Sequence, residues 1–312
     1  MSPPKIKPLP FPKTTGSEAK RWLEGYGFVA KQPDIRSSDY ELCLHCPFQY
    51  YLSRRLCLTP ALRWSSALSR GSWFHKRAEF IHDHQNVAYQ KVLRELGERK
   101  GELTETCELS GIIGDSKEAI LEREDKDAKC ACAWFDAAIK VKIGDTNKTF
   151  VDSILADHFK YLGSEVVMRY DHPSFGPLLI QADALLYHKG QNSIWVVDYK
   201  TCAESPTQRL QTCPQEFQTQ HYLFTTNYLI KEGTLQKKFD LPEDVKIGGM
   251  YHIAVQKPTI NFGSKDRDCE VIEHELQRGP RKGQIEIRRK YYGEPRYENY
   301  LKRCSDWYLA EG

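Results

Sequence analysis

The sequence predicts an α/β fold in which a central mixed sheet is flanked by helices and preceded by a helical N-terminal part. The chain has 312 residues, and its hydrophobic and aromatic fractions, 40% and 12%, are those of a protein that buries a core. Helical periodicity dominates up to residue 162, and apolar residues then alternate with a period of two. A helical pattern between the third and fourth strands indicates a crossover connection, hence a mixed sheet.

The N-terminal half contains mainly helical patterns. Residues 37–56 predict a Ser-capped helix, a Pro turn and an aromatic-rich helix, and residues 69–98 predict one long helix. Shorter helices are predicted at 116–125, 129–141 and 150–162.

Strand patterns follow at three consecutive segments, residues 165–170, 178–188 and 193–200. Their short connections favour antiparallel pairing. A helix at 214–231 leads to a fourth strand at 247–257, and a fifth strand is predicted at 269–276, before a C-terminal helix. We therefore expect four parts: a flexible arm at 1–16, a helical part at 17–162, the core at 163–277, and a basic tail and helix at 278–312.

Charge and apolar patterning limit the possible environments. The net charge is only +3, so a surface that binds nucleic acid must be local. The sequence has no apolar stretch of membrane-spanning length and no signal-peptide pattern at its N-terminus. We expect a cytoplasmic protein whose ten cysteines are reduced.

The hairpin between the second and third strands carries the most informative charges. If residues 189–192 form the turn, Asp183 lies opposite Asp198, and Lys200 shares the same face. Opposed carboxylates repel each other, and Mg²⁺, which prefers oxygen ligands, would relieve that repulsion. The alternative is a surface ladder with an Asp–Lys ion pair, which the apolar flanking residues disfavour. A metal ion here would support phosphodiester hydrolysis, with Lys200 orienting the water or stabilising charge.

Asp183, followed by Asp198-Tyr199-Lys200 on the next strand, resembles the active-site pattern of the PD-(D/E)XK nuclease superfamily, with Ala182 in place of the usual Pro. The segment "GSWFHKRAE" is similar to the Gly-x-x-x-His motif of its RecB-type branch, and "QTQHY" to the Gln-x-x-x-Tyr motif. The segment "CPFQYYL" resembles the Cys-Pro-x-x-aromatic segment of that branch. The strands around Asp183 and Asp198 look closest to the phage recombination exonucleases of the lambda exonuclease and RecE groups.

This resemblance implies a restriction-endonuclease-like core and a Mg²⁺-dependent DNA exonuclease, with Mn²⁺ as a substitute, that resects duplex ends in phage-type recombination or repair. The implied metal ligands are His75, Asp183, Asp198 and the carbonyl of Tyr199, with Lys200 assisting the attacking water and Glu165 positioning a second ion or water. On the residues alone, His75 fits a packed or solvated histidine better than a metal ligand, and the resemblance reverses that interpretation. The resemblance implies that Gln218 and Tyr222 contact DNA, and the basic residues beside aromatic ones are further candidates for phosphate contacts: Arg54, Arg55, Arg288 and Arg289. Each could instead be a solvated side chain.

The resemblance also suggests a partner, an oligomeric state, alternative functions and a second cofactor to consider. A single-strand annealing protein is a possible partner, and a ring-shaped trimer is expected by analogy alone. The alternatives are a CRISPR-adaptation-type or repair nuclease on single strands, and a non-catalytic DNA-binding or assembly protein on a nuclease fold. Cys43 and Cys46 have metal-ligand spacing, but only Cys269 and Cys304 lie beyond the fourth predicted strand, far apart, so we do not expect an iron–sulfur cluster.

Overall fold

The computed structural model describes Ser38, Leu42, Cys43, His45, Cys46 and residues 65–110, 117–142, 148–154, 156–172, 176–203, 205–275, 277–278, 280 and 284–311. Most of the helical region predicted at 37–56, including Arg54 and Arg55, lies outside these residues. The first four described positions are helical.

The N-terminal helices of the described part are α1 (Ser66–Glu79), α2 (Gln85–Ser110), α3 (Lys117–Ala138) and α4 (Phe150–Ile154). The long helix predicted at 69–98 is therefore two helices, and the two predicted within 116–141 are one. The helix predicted at 150–162 is wrong beyond Ile154, because a strand begins at Phe159. Phe159 and Tyr161 both pack against the core, and this spacing of two is that of a strand.

The remaining elements are β1 (Phe159–His172), β2 (Gly176–His188), β3 (Ser193–Cys202), α5 (Pro206–Thr212), a 3₁₀ turn (Cys213–Gln215), α6 (Phe217–Lys231), α7 (Thr234–Phe239), β4 (Lys246–Gln256), a second 3₁₀ turn (Ser264–Asp266), β5 (Asp268–Glu275), β6 (Ile285–Tyr292) and α8 (Tyr297–Glu311). The central sheet has the order β1-β2-β3-β4, with β2 antiparallel and β4 parallel to β3. The predicted α/β class with a mixed sheet is confirmed. β5 pairs with β6 in a separate two-stranded sheet.

The chain divides into two compact units. One comprises residues 1–60 and 169–179, and its described part consists of the outer ends of β1 and β2 and the few helical positions near residue 40. The other comprises residues 61–168 and 180–312 and contains all the other described elements. Among the described residues, no helix combines the length and apolarity that crossing a membrane requires.

The core of the larger unit positions α1 on the sheet. Phe74 of α1 meets Phe135 of α3 and Tyr199 of β3 edge to face, with centroid distances of 5.4 Å and 6.4 Å. Arg77, one turn after Phe74, forms a fully buried ion pair with Asp136, which also accepts a hydrogen bond from the Tyr297 hydroxyl. Losing one partner of such a pair typically costs about 3–5 kcal/mol, so the orientation of α1 is strongly specified.

A β-bulge sets the register between β3 and β4. The pairing shifts between Ile194 and Trp195, and Gly248 is the extra residue on β4. A Cβ on Gly248 would lie 2.3 Å from the Trp195 indole, and Gly249 adopts a φ of 147° beside the same ring. Glycine is therefore required where the indole crosses β4, and the bulge brings every later residue of β4 into its register with β3.

Candidate active site

The hairpin has the predicted register. Its pairs run from His188 with Ser193 to Ala184 with Val197, so Asp183 follows in line with Asp198. The two carboxylates nevertheless engage different partners, which fall into two sets. We call His75, Glu165 and Asp183 the acid group, and Asp198, Lys200, Gln218 and His252 the ion-pair group.

The acid group joins a helix and two strands. His75 of α1 places Nδ1 3.0 Å from Oδ1 of Asp183, and Oδ2 of Asp183 accepts a hydrogen bond of 2.6 Å from the backbone N–H of Tyr199. Glu165 of β1 accepts a short hydrogen bond from the side-chain amide of Gln181. The three residues each offer one ligand atom, and these atoms lie within 4.8 Å of one another. One imidazole nitrogen and two carboxylate oxygens at this spacing could hold a divalent cation.

Backbone strain accompanies the position of Glu165. Its φ is 48°, in the left-handed region that non-glycine residues rarely adopt, and Gly163 just before it has a φ of 151°. A left-handed residue costs roughly 1–2 kcal/mol, and such strain is found preferentially at functional sites. These two positive-φ residues interrupt the alternation of side chains along β1 at Glu165, the residue of β1 that lies beside Asp183.

Electrostatics mark the acid group as rich in negative charge. Burial raises the pKa of Glu165, as do the negative charges of Asp183 and Glu79, although the hydrogen bond from Gln181 opposes them. Burial alone would lower the pKa of His75, but its hydrogen bond and charge interaction with Asp183 outweigh burial and raise that pKa. The pKa of Glu165 rises first through burial and then through the neighbouring acids, and that of His75 rises through Asp183; the negative charges that act on both are ones that a bound cation would compensate.

The ion-pair group is compensated within the protein. Asp198 is only 1% exposed, and its Oδ1 lies 3.0 Å from Nζ of Lys200, while its Oδ2 lies 3.2 Å from Nδ1 of His252. Gln218 accepts a hydrogen bond of 2.8 Å from Nζ of Lys200 and donates one of 3.3 Å to Oδ1 of Asp198. Burial would raise the pKa of Asp198, but the hydrogen bond from His252 and the charge of Lys200 outweigh it and lower that pKa.

Helix α6 connects the two groups. Gln218 bridges Lys200 and Asp198, and one turn later the Tyr222 hydroxyl donates a hydrogen bond of 2.7 Å to the carbonyl of Gln181. The side chain of Gln181 holds Glu165 in turn. The Gln-x-x-x-Tyr pair thus reaches both groups: Gln218 belongs to the ion-pair group, and Tyr222 holds Gln181, which contacts Glu165.

The other predicted site residues lie in different places. Tyr199 turns its ring into the aromatic core and contributes its backbone N–H to Asp183. Arg288 and Arg289 lie on β6, in the second sheet, and Arg288 is paired with Glu286 on the exposed surface. The cysteines that can be described, including Cys43 and Cys46, carry free thiols.

Sequence reasoning missed two residues of the site, Gln181 and His252. Gln181 precedes Asp183 by two positions on β2, so the alternation of a strand already placed it on the same face. His252 reaches Asp198 because β4 pairs with β3 through Asp198 and His252. The only hint of that register in the sequence was the Gly-Gly pair, which is typical of a bulge.

Comparison with known proteins agrees with this geometry. No curated protein matches the chain significantly. The family model described as PD-(D/E)XK nuclease superfamily matches residues 37–290. The central mixed sheet with helices around it fits the restriction-endonuclease-like core of such nucleases. Since the match covers well over half of the 312 residues, the chain belongs to the PD-(D/E)XK nuclease superfamily.

Proposed function

We propose that this protein is a metal-dependent DNA exonuclease that hydrolyses phosphodiester bonds at duplex ends, in phage-type recombination or repair. The observation that carries the proposal is the convergence of His75, Glu165 and Asp183 beside the Asp198–Lys200 ion pair. In a family of nucleases, this combination offers a cation site and a held ammonium at neighbouring positions around the β2–β3 hairpin.

The acid group fits a divalent cation by its donor set and by its charge. PD-(D/E)XK nucleases generally use ions such as Mg²⁺ or Mn²⁺, and burial together with the charges of Asp183 and Glu79 raises the pKa of Glu165, charges that such an ion would offset. We propose His75 and Asp183 as ligands, with Asp198 and the carbonyl of Tyr199 joining them and Glu165 positioning a second ion or water. The bound ion would polarise a phosphoryl oxygen and lower the pKa of a coordinated water.

Lys200 would act on the substrate side of the site. Its ammonium is held by Asp198 and Gln218, and its side chain is 20% exposed, so it combines a fixed position with access to solvent. An ammonium held in this way can orient the attacking water or stabilise the negative charge that develops on the phosphate. Because the anionic Asp198 and the neutral Gln218 already fix the ammonium of Lys200, little reorganisation is needed when substrate arrives.

Two features support the finer assignment to the RecB-type branch. The helix that carries the Gly-x-x-x-His motif is α1, and its histidine contacts Asp183 directly. The Gln-x-x-x-Tyr motif lies on α6 and contacts both groups of the site. The closeness to phage exonucleases rests on the sequence of β1 to β4 alone.

Contacts with DNA are proposed on three parts of the chain. Gln218 and Tyr222 border the site, Arg288 and Arg289 are on β6, and Arg54 and Arg55 precede the described core. Arginines next to aromatic residues in the sequence suit contact with phosphates and bases. A single-strand annealing protein as partner, a ring-shaped trimer and a cytoplasmic location are proposed by analogy.

The test is digestion of end-labelled linear duplex, circular duplex and single-stranded DNA, with and without Mg²⁺. We expect Mg²⁺-dependent loss of the linear duplex, an intact circle, and no activity in a Lys200→Met variant. Glu122→Gln, which changes an exposed acid on α3, is the matched control and should behave as wild type. Cleavage of the circle would contradict action at ends, preference for single strands together with bound iron would favour the rival nuclease, and no cleavage of any substrate would favour a non-catalytic protein.

A further inference from the structure

His252 occupies a position that the family pattern does not include. It lies on β4 between Asp198 on the neighbouring strand and Thr219 on α6. Its Nδ1 is 3.2 Å from Oδ2 of Asp198, and its Nε2 is 3.1 Å from the Thr219 hydroxyl. The side chain of His252 is 10% exposed and that of Asp198 is 2% exposed, so water competes little for these contacts.

The hydrogen atoms in this chain of contacts can be assigned. The Thr219 hydroxyl lies 2.6 Å from the carbonyl of Cys213, and its single hydrogen must lie between them because a carbonyl can only accept. Thr219 therefore accepts a hydrogen bond from Nε2 of His252, and since the ionised Asp198 carboxylate can only accept from Nδ1, the imidazole that makes both contacts carries hydrogen on both nitrogens. The imidazole is held at its far side by a hydroxyl that is itself fixed by the backbone, and it presents Nδ1 to Asp198.

His252 also completes the bonding of Asp198. Lys200 and Gln218 both contact Oδ1, whereas the hydrogen bond at Oδ2 comes from His252. With both oxygens held, rotation of the carboxylate about its χ2 bond is restricted. Without His252, Oδ2 would lose this bond inside a nearly dry site, which is costly for a charged oxygen.

We propose that His252 is a positioning residue, anchored by Thr219, that fixes the orientation of the Asp198 carboxylate. This inference rests on the proposed function, because it assigns Asp198 a place at the metal and beside Lys200. Residues that orient ligands through hydrogen bonds typically account for a 10–100-fold change in metal affinity or activity, roughly the size expected here.

The test uses two substitutions of His252 and one of its anchor. His252→Leu removes both hydrogen bonds at similar volume, His252→Asn retains an amide that can reach the position of Nδ1, and Thr219→Val removes the anchor. Mn²⁺ affinity is measured by calorimetry on DNA-free protein, kcat and KM on linear duplex, and folding by thermal melting. His84→Asn, on an exposed histidine before α2, is the control.

We expect His252→Leu to lower Mn²⁺ affinity and kcat by roughly 10–100-fold with KM nearly unchanged, and His252→Asn to recover most of the loss. Thr219→Val should lower Mn²⁺ affinity and kcat by a smaller factor. In a protein that already carries His252→Leu, adding Thr219→Val should cause no further loss. Equal losses in the Leu and Asn variants, or additive losses with Thr219→Val, would overturn the proposal. If His252→Leu does not fold, near-wild-type Mn²⁺ affinity and kcat in His252→Asn together with a measurable loss in Thr219→Val would support the proposal, and no loss in a folded Thr219→Val variant would overturn it. A wild type that binds Mn²⁺ but cleaves no DNA would overturn the proposed function, while the affinities would still test the positioning.

Discussion

The two groups of the site meet at the β2–β3 hairpin, where Asp183 and Asp198 lie, but differ in how their charges are balanced. In the acid group, two carboxylates lie close to one histidine, and the pKa values of Glu165 and His75 are both raised. In the ion-pair group, one buried carboxylate contacts Lys200 and His252, and its pKa is lowered. The difference indicates that the acid group carries the charge that an added cation would balance, whereas the charge of Asp198 is already balanced within the protein, so Asp198 can hold Lys200 in place beside its proposed contact with the ion.

This comparison changes one expectation from the sequence. The sequence predicts that Asp183 and Asp198 repel each other as opposed carboxylates, and removing Asp198 would then relieve that repulsion in the metal-free protein. Instead, Asp198 is compensated by Lys200 and His252 inside the protein. The repulsion that remains concerns Asp183 and Glu165, across β1 and β2.

The largest effect on activity is expected from Asp183→Asn. The amide could still accept the hydrogen bond from Tyr199 but would lose the charge that attracts a cation, and cleavage should fall by about a hundredfold to a thousandfold. Single-turnover rates at saturating Mg²⁺ measure this loss, with Glu122→Gln as the control. A rate within a few-fold of wild type would remove Asp183 from the metal site.

The sharpest contrast between the groups is in stability. Asp198→Ala leaves Lys200 and His252 without their shared carboxylate, and the free energy of unfolding of the metal-free protein should fall by about 3 kcal/mol. Glu165→Gln removes a charge that its neighbours disfavour, so its free energy of unfolding should be unchanged or higher. Urea denaturation in EDTA compares the two variants. A gain for Asp198→Ala, or equal losses in both, would contradict the division into two groups.

A smaller effect is expected from Gln218→Ala. Lys200 would lose one of its two acceptors but keep Asp198, so the rate should fall by about tenfold, the equivalent of one charged hydrogen bond. Because Gln218 lies outside the acid group, the Mg²⁺ concentration for half-maximal activity should hardly move. A large shift in that concentration would indicate that the two groups act as one.

The smallest effect is expected from Glu79→Gln. Glu79 follows His75 by one turn of α1, but Lys76 already pairs with its carboxylate. Its influence on the site is a charge interaction with Glu165, so the metal requirement should change by less than about twofold. A tenfold change would place Glu79 in the acid group.

The parts of this architecture that follow local rules could be predicted from the sequence. A four-residue turn and the alternation of β2 and β3 determined which residues face each other, so the register at Asp183 and Asp198 was predictable. The partners of Asp198 were not, because Gln218 and His252 arrive on a crossover helix and a parallel strand whose register depends on the bulge at Gly248.

The errors in secondary structure have a similar origin. The segment after Ile154 has a helical pattern, but Phe159 and Tyr161 pack against the core as strand residues, so tertiary contacts override the local preference. β6 was missed because charged residues hide its alternation, and its pairing with β5 defines it as a strand. The left-handed backbone at Glu165 has no signal in the sequence beyond the nearby glycine.

The most direct test of the account is calorimetric titration of Mn²⁺ into the DNA-free protein and into two variants. If the acid group is the cation site, wild type binds Mn²⁺, Asp183→Asn loses most of the affinity, and Gln218→Ala binds nearly as wild type does. Thermal melting of each variant in EDTA serves as the folding control. Retained Mn²⁺ affinity in a folded Asp183→Asn variant would contradict the central claim that His75, Glu165 and Asp183 form the metal site.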